Sequence, residues 1–240
     1  KFNYEINFNN SISFENVSFS YPSSNKLVLN NISIDFKKGD YVGIVGGSGA
    51  GKSTMIDLLI GLYNPTNGCI KIDNINLLTC KKSWQNKIGY VPQNIYLFDD
   101  TILNNIAFGI PTEEINLEKL RTALIEAELF DFVESLPDGL NTKLGERGSR
   151  LSGGQKQRIG IARALYNNPS IIIFDEATSA LDMETESSVM TAINELGTDI
   201  TIIMIAHRVS TLSECDEIIE IGEGRVIRRG TYHQLFETLA

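Results

Sequence analysis

Residues Tyr41 to Thr54 read YVGIVGGSGAGKST, an apolar run that leads into a glycine-rich turn and then into a second segment. Within this stretch, Gly46 to Ser53 match the pattern G-x-x-x-x-G-K-[ST]. The run Tyr41–Val45 predicts a strand, and residues 53–63 carry apolar side chains at helical spacing. Glycines between a strand and a helix let several backbone N–H groups converge on phosphate oxygens. The stretch therefore predicts a phosphate-binding loop.

The pattern also predicts what the individual residues of the loop do. We expect Lys52 to reach the β- and γ-phosphates of a nucleotide, and the Ser53 hydroxyl to bind Mg²⁺. The other predicted nucleotide contacts are Gly46, Gly47, Ser48, Gly49, Ala50, Gly51 and Thr54. The pattern alone would arise by chance in roughly one or two chains per hundred of this length. Its position between a strand and a helix makes a mere glycine-rich turn a poor alternative.

Two acidic residues follow another apolar run, Ile171–Phe174. Asp175 and Glu176 would lie at the carboxyl end of a buried strand, where open α/β sheets bind ligands. Asp175 is the candidate Mg²⁺ ligand, and Glu176 is the candidate base that polarises the water attacking the γ-phosphate. His207 follows the next apolar run and would contact the γ-phosphate or that water. Taken alone, the acidic pair could equally be a solvated turn, and His207 a structural histidine.

The composition excludes several other classes of protein. With 240 residues, 42% of them hydrophobic, and 6 prolines, the chain can bury a sizeable core and does not resemble a disordered chain. A net charge of -9 opposes nucleic-acid binding, because phosphate backbones attract positive charge. No apolar run reaches the roughly 18 residues of a membrane helix. The three cysteines are widely spaced, which suits neither a disulfide framework nor a zinc site and favours a reducing compartment.

Hydrophobic patterning divides the chain into three regions. Alternating polar and larger residues predict an antiparallel β region over about 11–40, and apolar residues at helical intervals predict a helical subdomain over 93–168. A nucleotide-binding core would comprise 41–92 and 169–240. The predicted fold class is therefore α/β: a phosphate-loop NTPase core with a mainly parallel sheet, an N-terminal antiparallel β subdomain and an inserted α-helical subdomain. Further predicted elements are strands at 69–72, 87–91, 171–174, 200–206, 217–221 and 226–229, and helices at 184–196 and 231–239.

A second glycine-containing motif, LSGGQ at residues 151–155, precedes an amphipathic segment that runs to about residue 167. Ser152 is a good N-cap for that helix, because its hydroxyl can satisfy unpaired backbone N–H groups. The same N–H groups, the hydroxyl and the helix dipole could also bind an anion brought from outside. The two roles are compatible.

Four motifs in this order resemble the ATPase domain of ATP-binding-cassette (ABC) proteins: the loop at 46–53, LSGGQ at 151–155, IIIFDE at 171–176, and His207. The resemblance implies ATP and Mg²⁺ as cofactors and covers almost the whole chain. It implies further roles: Tyr21 stacking on adenine beside Val28, Gln93 reaching Mg²⁺ from a hinge loop, and Ser179–Asp182 crossing to a partner domain. Without it, Tyr21 would be a surface residue, Gln93 a loop amide, and Asp182 the N-cap of the following helix.

In ABC proteins two such domains pair head to tail. The resemblance therefore implies that ATP bound to the loop of one domain meets Ser152, Gly154 and Gln155 of a second, identical or similar domain. Closure would exclude water around the γ-phosphate, and hydrolysis would let the pair reopen. Catalysis is thus expected to depend on Lys52, Glu176 and His207.

Two shorter segments resemble the exporter branch of the family: Gly145–Gly148, which reads GERG, and Thr101–Ile106. We therefore expect the motor domain of an exporter or flippase at the cytoplasmic face of a membrane, with a transmembrane domain upstream of Lys1 on the same polypeptide. Alternatives are the ATPase subunit of an uptake system, a soluble ABC ATPase without a membrane partner, and a binding module that does not hydrolyse ATP. Outside the resemblance, Glu146 and Arg147 would be a solvated charge pair.

Overall fold

The computed structural model describes residues 5–22, 24, 26–177, 187–188, 190–192, 200–206 and 209–237. Their elements, in chain order, are β1 (Ser11–Phe19), β2 (Leu29–Lys37), β3 (Tyr41–Val45), α1 (Lys52–Ile60), β4 (Asn67–Ile72), β5 (Ile75–Asn76), α2 (Leu77–Gln85), β6 (Ile88–Val91), α3 (Ile102–Ile106), α4 (Leu117–Glu126), α5 (Phe130–Glu134), α6 (Gly153–Leu165), β7 (Ile171–Asp175), β8 (Thr201–Ile205), β9 (Glu217–Gly222) and β10 (Arg225–Gly230). The chain divides into two compact units, residues 1–88 with 198–240, and residues 89–197.

The first unit contains the predicted antiparallel β region. Its strands lie in the order β2-β1-β4-β5, and β1 pairs antiparallel with both β2 and β4. Alternate residues of β1 point into the core, so that Ile12 pairs with Phe36 and Phe14 with Ile34, all four nearly fully buried. This period of two is what the alternation in the sequence predicted.

A second sheet of the same unit carries the phosphate loop. Strand β3 lies between β8 and β9 and is parallel to both, while β10 pairs antiparallel with β9. Residues Tyr41 to Ile44 are buried, which explains why β3 reads as a continuous apolar run rather than an alternating one. The carboxyl end of β3 is therefore fixed on both sides where the glycine-rich turn begins.

The second unit consists mainly of helices, as predicted for residues 93–168. Helix α6 contacts both α3 and α4, and their facing side chains, such as Leu120, Leu124 and Ile159, are buried. Strands β6 and β7 are neighbours in one sheet. Strand β7 also belongs to this unit.

Several boundaries differ from those predicted. Helix α1 ends at Ile60 rather than Tyr63, because Gly61 adopts a left-handed conformation with φ of 80° that closes the helix. Helix α2 was not predicted at all. A π-helical turn at His233–Glu237 takes the place of the predicted terminal helix over the described residues. No helix among these residues is both long and apolar enough to cross a membrane.

Candidate active site

The phosphate loop joins β3 to α1 within the first unit. Its lysine is almost completely buried: Lys52 is 5% exposed, and its Nζ donates hydrogen bonds to the carbonyl oxygens of Gly46 at 2.8 Å and Gly47 at 3.1 Å. These two bonds hold the ammonium group against the inside of the loop. Since an ammonium has three N–H donors, the arrangement is compatible with a further bond to a phosphate oxygen.

The glycines of the loop fall into two classes. A Cβ at Gly46 would lie 2.1 Å from the carbonyl oxygen of Ile221, and one at Gly51 would lie 2.7 Å from a methyl of Leu29. Both residues also have positive φ, so the fold itself requires glycine there. In contrast, a Cβ at Gly47 or Gly49 would meet no atom of the described residues within 4 Å, although Gly49, like Gly46 and Gly51, has a positive φ, of 74°. These two exposed glycines leave open space on the face of the loop where a phosphate would lie.

The N-terminal end of α1 completes this cradle. Its N-cap, Gly51, makes no side-chain capping hydrogen bond, so the first backbone N–H groups of the helix are not capped by its side chain. Helix N-termini carry partial positive charge and bind anions. Ser53 is exposed in the first turn, where its hydroxyl is accessible to a cation. The loop therefore fits a nucleotide phosphate, and Ser53 is a suitable donor for Mg²⁺.

A cavity of about 710 Å³ lies beside the loop. Its lining combines three segments, namely residues 26–28, the loop residues 47–50, and the turn 222–224 between β9 and β10. Gly224 fastens this turn to the loop, because its N–H donates to Ala50 and its carbonyl accepts from the N–H of Asn30. Val28, predicted to lie near the nucleotide, is part of the lining. The two strands that this turn connects were predicted from the sequence, but the contact of the turn with the phosphate loop was not.

Tyr21 is held by aromatic and polar contacts in the first unit. Its hydroxyl lies 3.0 Å from Oγ1 of Thr54, the residue after Ser53 on α1. Its ring packs against Phe19 and Tyr63 in T-shaped contacts, with centroids 5.0 Å and 5.4 Å apart. Tyr21 is thus tied to the phosphate-binding helix. Whether it stacks on adenine stays a prediction.

In the second unit, the two predicted carboxylates lie at the carboxyl end of β7: Asp175 is its last residue and Glu176 follows it. The Asp175 carboxylate accepts a hydrogen bond of 2.9 Å from the hydroxyl of Tyr90, and Oε2 of Glu176 accepts one of 2.9 Å from Nε2 of Gln93. Glu176 has a φ of 54°, a left-handed conformation that non-glycine residues rarely adopt. Such strain often accompanies functional sites. Three separately predicted residues, Gln93, Asp175 and Glu176, therefore lie in one local cluster, to which Tyr90 is an unpredicted addition.

The LSGGQ motif begins α6, as its sequence predicted. Ser152 is the N-cap: its hydroxyl accepts from the N–H of Gln155 at 3.2 Å, and the Gln155 side chain accepts from the N–H of Ser152 at 2.8 Å. This reciprocal capping box satisfies two helix-end donors. Ser152 and Gly153 are exposed, and Gly154 is partly so. The motif therefore presents an accessible helix N-terminus.

A buried polar cluster in the second unit was not predicted. Asn105 is fully buried, and its amide bonds the backbone of Phe98 and Thr101. Arg163 of α6 donates to the carbonyl oxygens of Asn105 and Tyr96, at 2.7 Å and 3.0 Å. Burial lowers the pKa of the Arg163 guanidinium. Asn105 and Arg163 are 58 positions apart in the chain. No local sequence pattern therefore indicates this polar cluster.

Two predicted segments lie outside the described residues, namely His207 and Ser179–Asp182. Their roles rest on the sequence alone.

Known proteins of one family resemble most of this chain. Residues 29–179 match the family model described as ABC transporter. The chain belongs to this family. It is an ATPase domain with the predicted α/β fold, and ATP is its nucleotide. It is 47% identical over 225 residues to an ATP-dependent lipid A-core flippase of Coxiella burnetii, and 45% identical over 226 residues to ATP-binding cassette sub-family B member 5 of Mus musculus.

A solved structure of an ABC exporter also resembles this chain. A bacterial Atm1-family ABC exporter with ATP bound matches with a TM-score of 0.88 and 39% identity, over 97% of this ABC chain. The match spans only 40% of that exporter chain. The matches to the flippase and to the sub-family B member each cover 93% of this chain. They cover only 38% of the flippase and 18% of the sub-family B member. The known relatives are thus much longer than this ATPase domain.

Proposed function

We propose that this chain is the ATP-hydrolysing motor domain of an ABC exporter or flippase. The observation that carries the proposal is the phosphate cradle: open space above Gly47 and Gly49, the Lys52 ammonium held inside the loop, and an α1 N-terminus without a side-chain cap. This arrangement supplies backbone donors and positive charge for the β- and γ-phosphates of ATP. The similarity to a flippase and an exporter supports the transport class.

The hydrolytic step would use the carboxylate of Glu176, which directly follows β7. In the proposed role, Glu176 polarises the water that attacks the γ-phosphate, and the amide of Gln93 orients the Glu176 carboxylate. The γ-phosphoryl group leaves ADP as the water oxygen bonds to phosphorus, and the water proton passes toward Glu176. His207 would steady the γ-phosphate or that water.

Mg²⁺ would be held by the Ser53 hydroxyl, Asp175 and Gln93. Bound there, it would neutralise charge on the β- and γ-phosphate oxygens. Asp175 supplies a carboxylate that the hydroxyl of Tyr90 already orients. A carboxylate, a hydroxyl and an amide oxygen are the hard oxygen donors that Mg²⁺ prefers.

Two such domains would form the working unit, head to tail. The exposed helix end at Ser152, Gly154 and Gln155 would then face the γ-phosphate bound by the partner domain. Because the capping box uses the N–H of Gln155 and of Ser152 itself, the other N–H groups of the first turn of α6 are the candidates for this contact. ATP would thereby join the two domains, and hydrolysis would weaken the contact.

Transport itself would be carried out by a membrane domain on the same polypeptide, upstream of Lys1. The ATPase domain would then lie at the cytoplasmic face of that membrane. The relatives' greater length supports the arrangement, since this chain spans 38% of the lipid A-core flippase. No nucleic-acid partner is proposed, in keeping with the net charge of -9.

The test is direct. ATP with Mg²⁺ should bind the 240-residue chain in calorimetry and should be cleaved with release of phosphate. Lys52→Ala should weaken binding by about 10-fold to 100-fold, since a hydrogen bond to a charged group contributes about 1.5 to 3 kcal/mol. The matched control is Lys82→Ala, which removes an exposed lysine of α2 and should change nothing. ATP affinity unaltered by Lys52→Ala would contradict the assignment of the cradle.

A further inference from the structure

The C-terminal end of the phosphate-binding helix differs from its N-terminal end, because side chains of another helix donate hydrogen bonds to its last carbonyl groups. At the C-terminal end of α1, the indole Nε1 of Trp84 donates to the carbonyl oxygen of Leu59 at 2.8 Å, and Nε2 of Gln85 donates to that of Ile60 at 3.1 Å. The last carbonyl groups of a helix have no partner within the helix. Side chains of α2 therefore hold the end of α1 that points away from the phosphate loop.

Trp84 also contacts the chain segment before β1. Its side chain is fully buried, and its ring packs edge-on against Phe8, with centroids 5.6 Å apart. Next to it, the Ser83 hydroxyl accepts a hydrogen bond of 2.9 Å from the N–H of Ile6. Ile6 and Phe8 are 1% and 3% exposed. Residues 5–10, which we call the N-terminal strap, are thus packed on α2.

The far end of the strap is fixed by a single carboxylate. Asp73, in the turn between β4 and β5, accepts hydrogen bonds from the N–H groups of Asn9, Asn10 and Ser11, at 2.6, 2.8 and 2.9 Å. Three donors on one carboxylate fix the course of the strap into β1. The strap is therefore joined to α2, to Asp73 and, through the carbonyl oxygen of Asn10, to the N–H of Lys38 after β2.

These contacts form a continuous path from the phosphate loop to the strap. It runs along the nine residues of α1, through the indole of Trp84, to the ring of Phe8. We propose that Trp84 is a positioning residue that holds α1 in register for phosphate binding and couples ATP binding to the packing of the N-terminal strap. The inference rests on the proposed function, because it takes the phosphates of ATP to bind at the N-terminal end of α1.

Coupling between two sites is reciprocal. If ATP binding favours the helix position that Trp84 supports, ATP must also stabilise the packing of the strap against Trp84. Loosening the strap must in turn weaken ATP binding by the same factor. A residue that only filled the core would lower the stability of the fold without linking these two properties.

The wild-type chain provides the first measurement. Trp84 is the single tryptophan, so its emission reports this position alone. Titration with ATP and Mg²⁺ should change that emission with the same midpoint as the calorimetric binding curve. Amide hydrogen exchange of residues 5–11 should slow in the same titration. Calorimetric binding without a change in either signal would overturn the inference.

The second measurement uses a matched pair of variants. Phe8→Leu should raise the Kd and KM for ATP about threefold to tenfold, the effect of losing roughly one contact or hydrogen bond, while kcat stays within about twofold. Phe36→Leu alters a ring of similar burial that packs on Phe14, and should leave the Kd unchanged. Trp84→Phe keeps an aromatic ring but loses the donor to Leu59, and should also raise the Kd.

The outcomes separate the two proposals. If the wild-type chain binds no ATP, the proposed function and this inference both fail. If ATP binds but the Phe8 and Trp84 variants bind it as tightly as the Phe36 variant does, only the inference fails, and Trp84 is merely a core residue.

Discussion

Nε2 of Gln93 donates a hydrogen bond to Oε2 of Glu176 across 2.9 Å, although the two residues are 83 positions apart in the chain. The contact joins the loop after β6 to the residue that directly follows β7. The amide group that donates this hydrogen bond carries no charge. The pair thus orients the proposed base without neutralising it.

Replacing the proposed base tests its role. Glu176→Gln keeps the size of the side chain but removes the carboxylate, so phosphate release should fall about 100-fold to 10,000-fold. ATP should still bind, because the phosphate cradle is unaltered. Phosphate release and calorimetry measure the two properties separately. Glu134→Gln, an exposed change on α5, is the control, and normal turnover by Glu176→Gln would assign the base elsewhere.

One added methyl group should affect different properties in the two classes of loop glycine: the stability of the fold in one class and the affinity for ATP in the other. Gly46→Ala should destabilise the fold by about 2 to 4 kcal/mol, because its Cβ would overlap the carbonyl oxygen of Ile221. Gly47→Ala should leave the free energy of unfolding within about 0.5 kcal/mol. It should nevertheless weaken ATP binding about tenfold, since the methyl enters the phosphate space. Urea unfolding and calorimetry distinguish these results; equal effects of the two variants would contradict the division.

The two roles of Ser152 can be separated by substitution. Ser152→Ala removes the helix cap and should lower the free energy of unfolding by about 1 kcal/mol. Ser152→Asp retains a capping acceptor, so stability should be preserved. Its negative charge, however, would repel the phosphate of a partner's ATP. Sedimentation in a Glu176→Gln background should therefore show an ATP-dependent dimer with serine and none with aspartate, and a dimer of the aspartate variant would argue against the phosphate contact.

Burial of a thiol predicts how stability depends on alkaline pH. Burial, assisted by the charges of Asp216 and Glu214, raises the pKa of Cys215 from 9.0 to about 12. Well below pH 9 the thiol is neutral in both the folded and the unfolded state. Above it, the unfolded chain ionises first, so stability is lost as pH rises toward 12. Between about pH 8.5 and about pH 10.5 the loss should reach about 2 kcal/mol.

Cys215→Ala should remove this part of the pH dependence. Unfolding under reducing conditions at the two pH values measures it, and Cys69→Ala, which removes a more exposed thiol, is the comparison. An alkaline loss of stability that is identical in the wild type and the Cys215 variant would contradict the prediction. The raised pKa of buried Tyr41 adds a loss of the same sign at higher pH.

Local pattern was enough to predict the elements that carry the phosphate loop. The run Tyr41–Val45 is apolar throughout because successive residues of β3 are buried, and the glycines follow it directly. The LSGGQ cap was also readable, since Ser152 and Gln155 stand at the spacing of a capping box. In these cases the deciding interaction spans only a few residues.

The parts that were missed depend on partners distant in sequence. Helix α2 carries buried residues only at Leu77, Cys80 and Trp84, with Asn76 as the N-cap. This spacing of three and four is a helical signal, but it repeats just once and is interrupted by polar residues. The bonds of Gly224 to Ala50 and Asn30 connect residues brought together by the sheet, which no local period reveals.

The glycines of the loop also bear on how such a domain would evolve after losing its substrate. Selection for a stable fold would continue to keep Gly46 and Gly51, because their neighbours are backbone and core atoms. In the part of the chain that the structure describes, no atom would meet a Cβ at Gly47. A descendant that no longer binds nucleotide should therefore first accumulate substitutions at Gly47, and a larger residue there would mark a domain retained for its architecture alone.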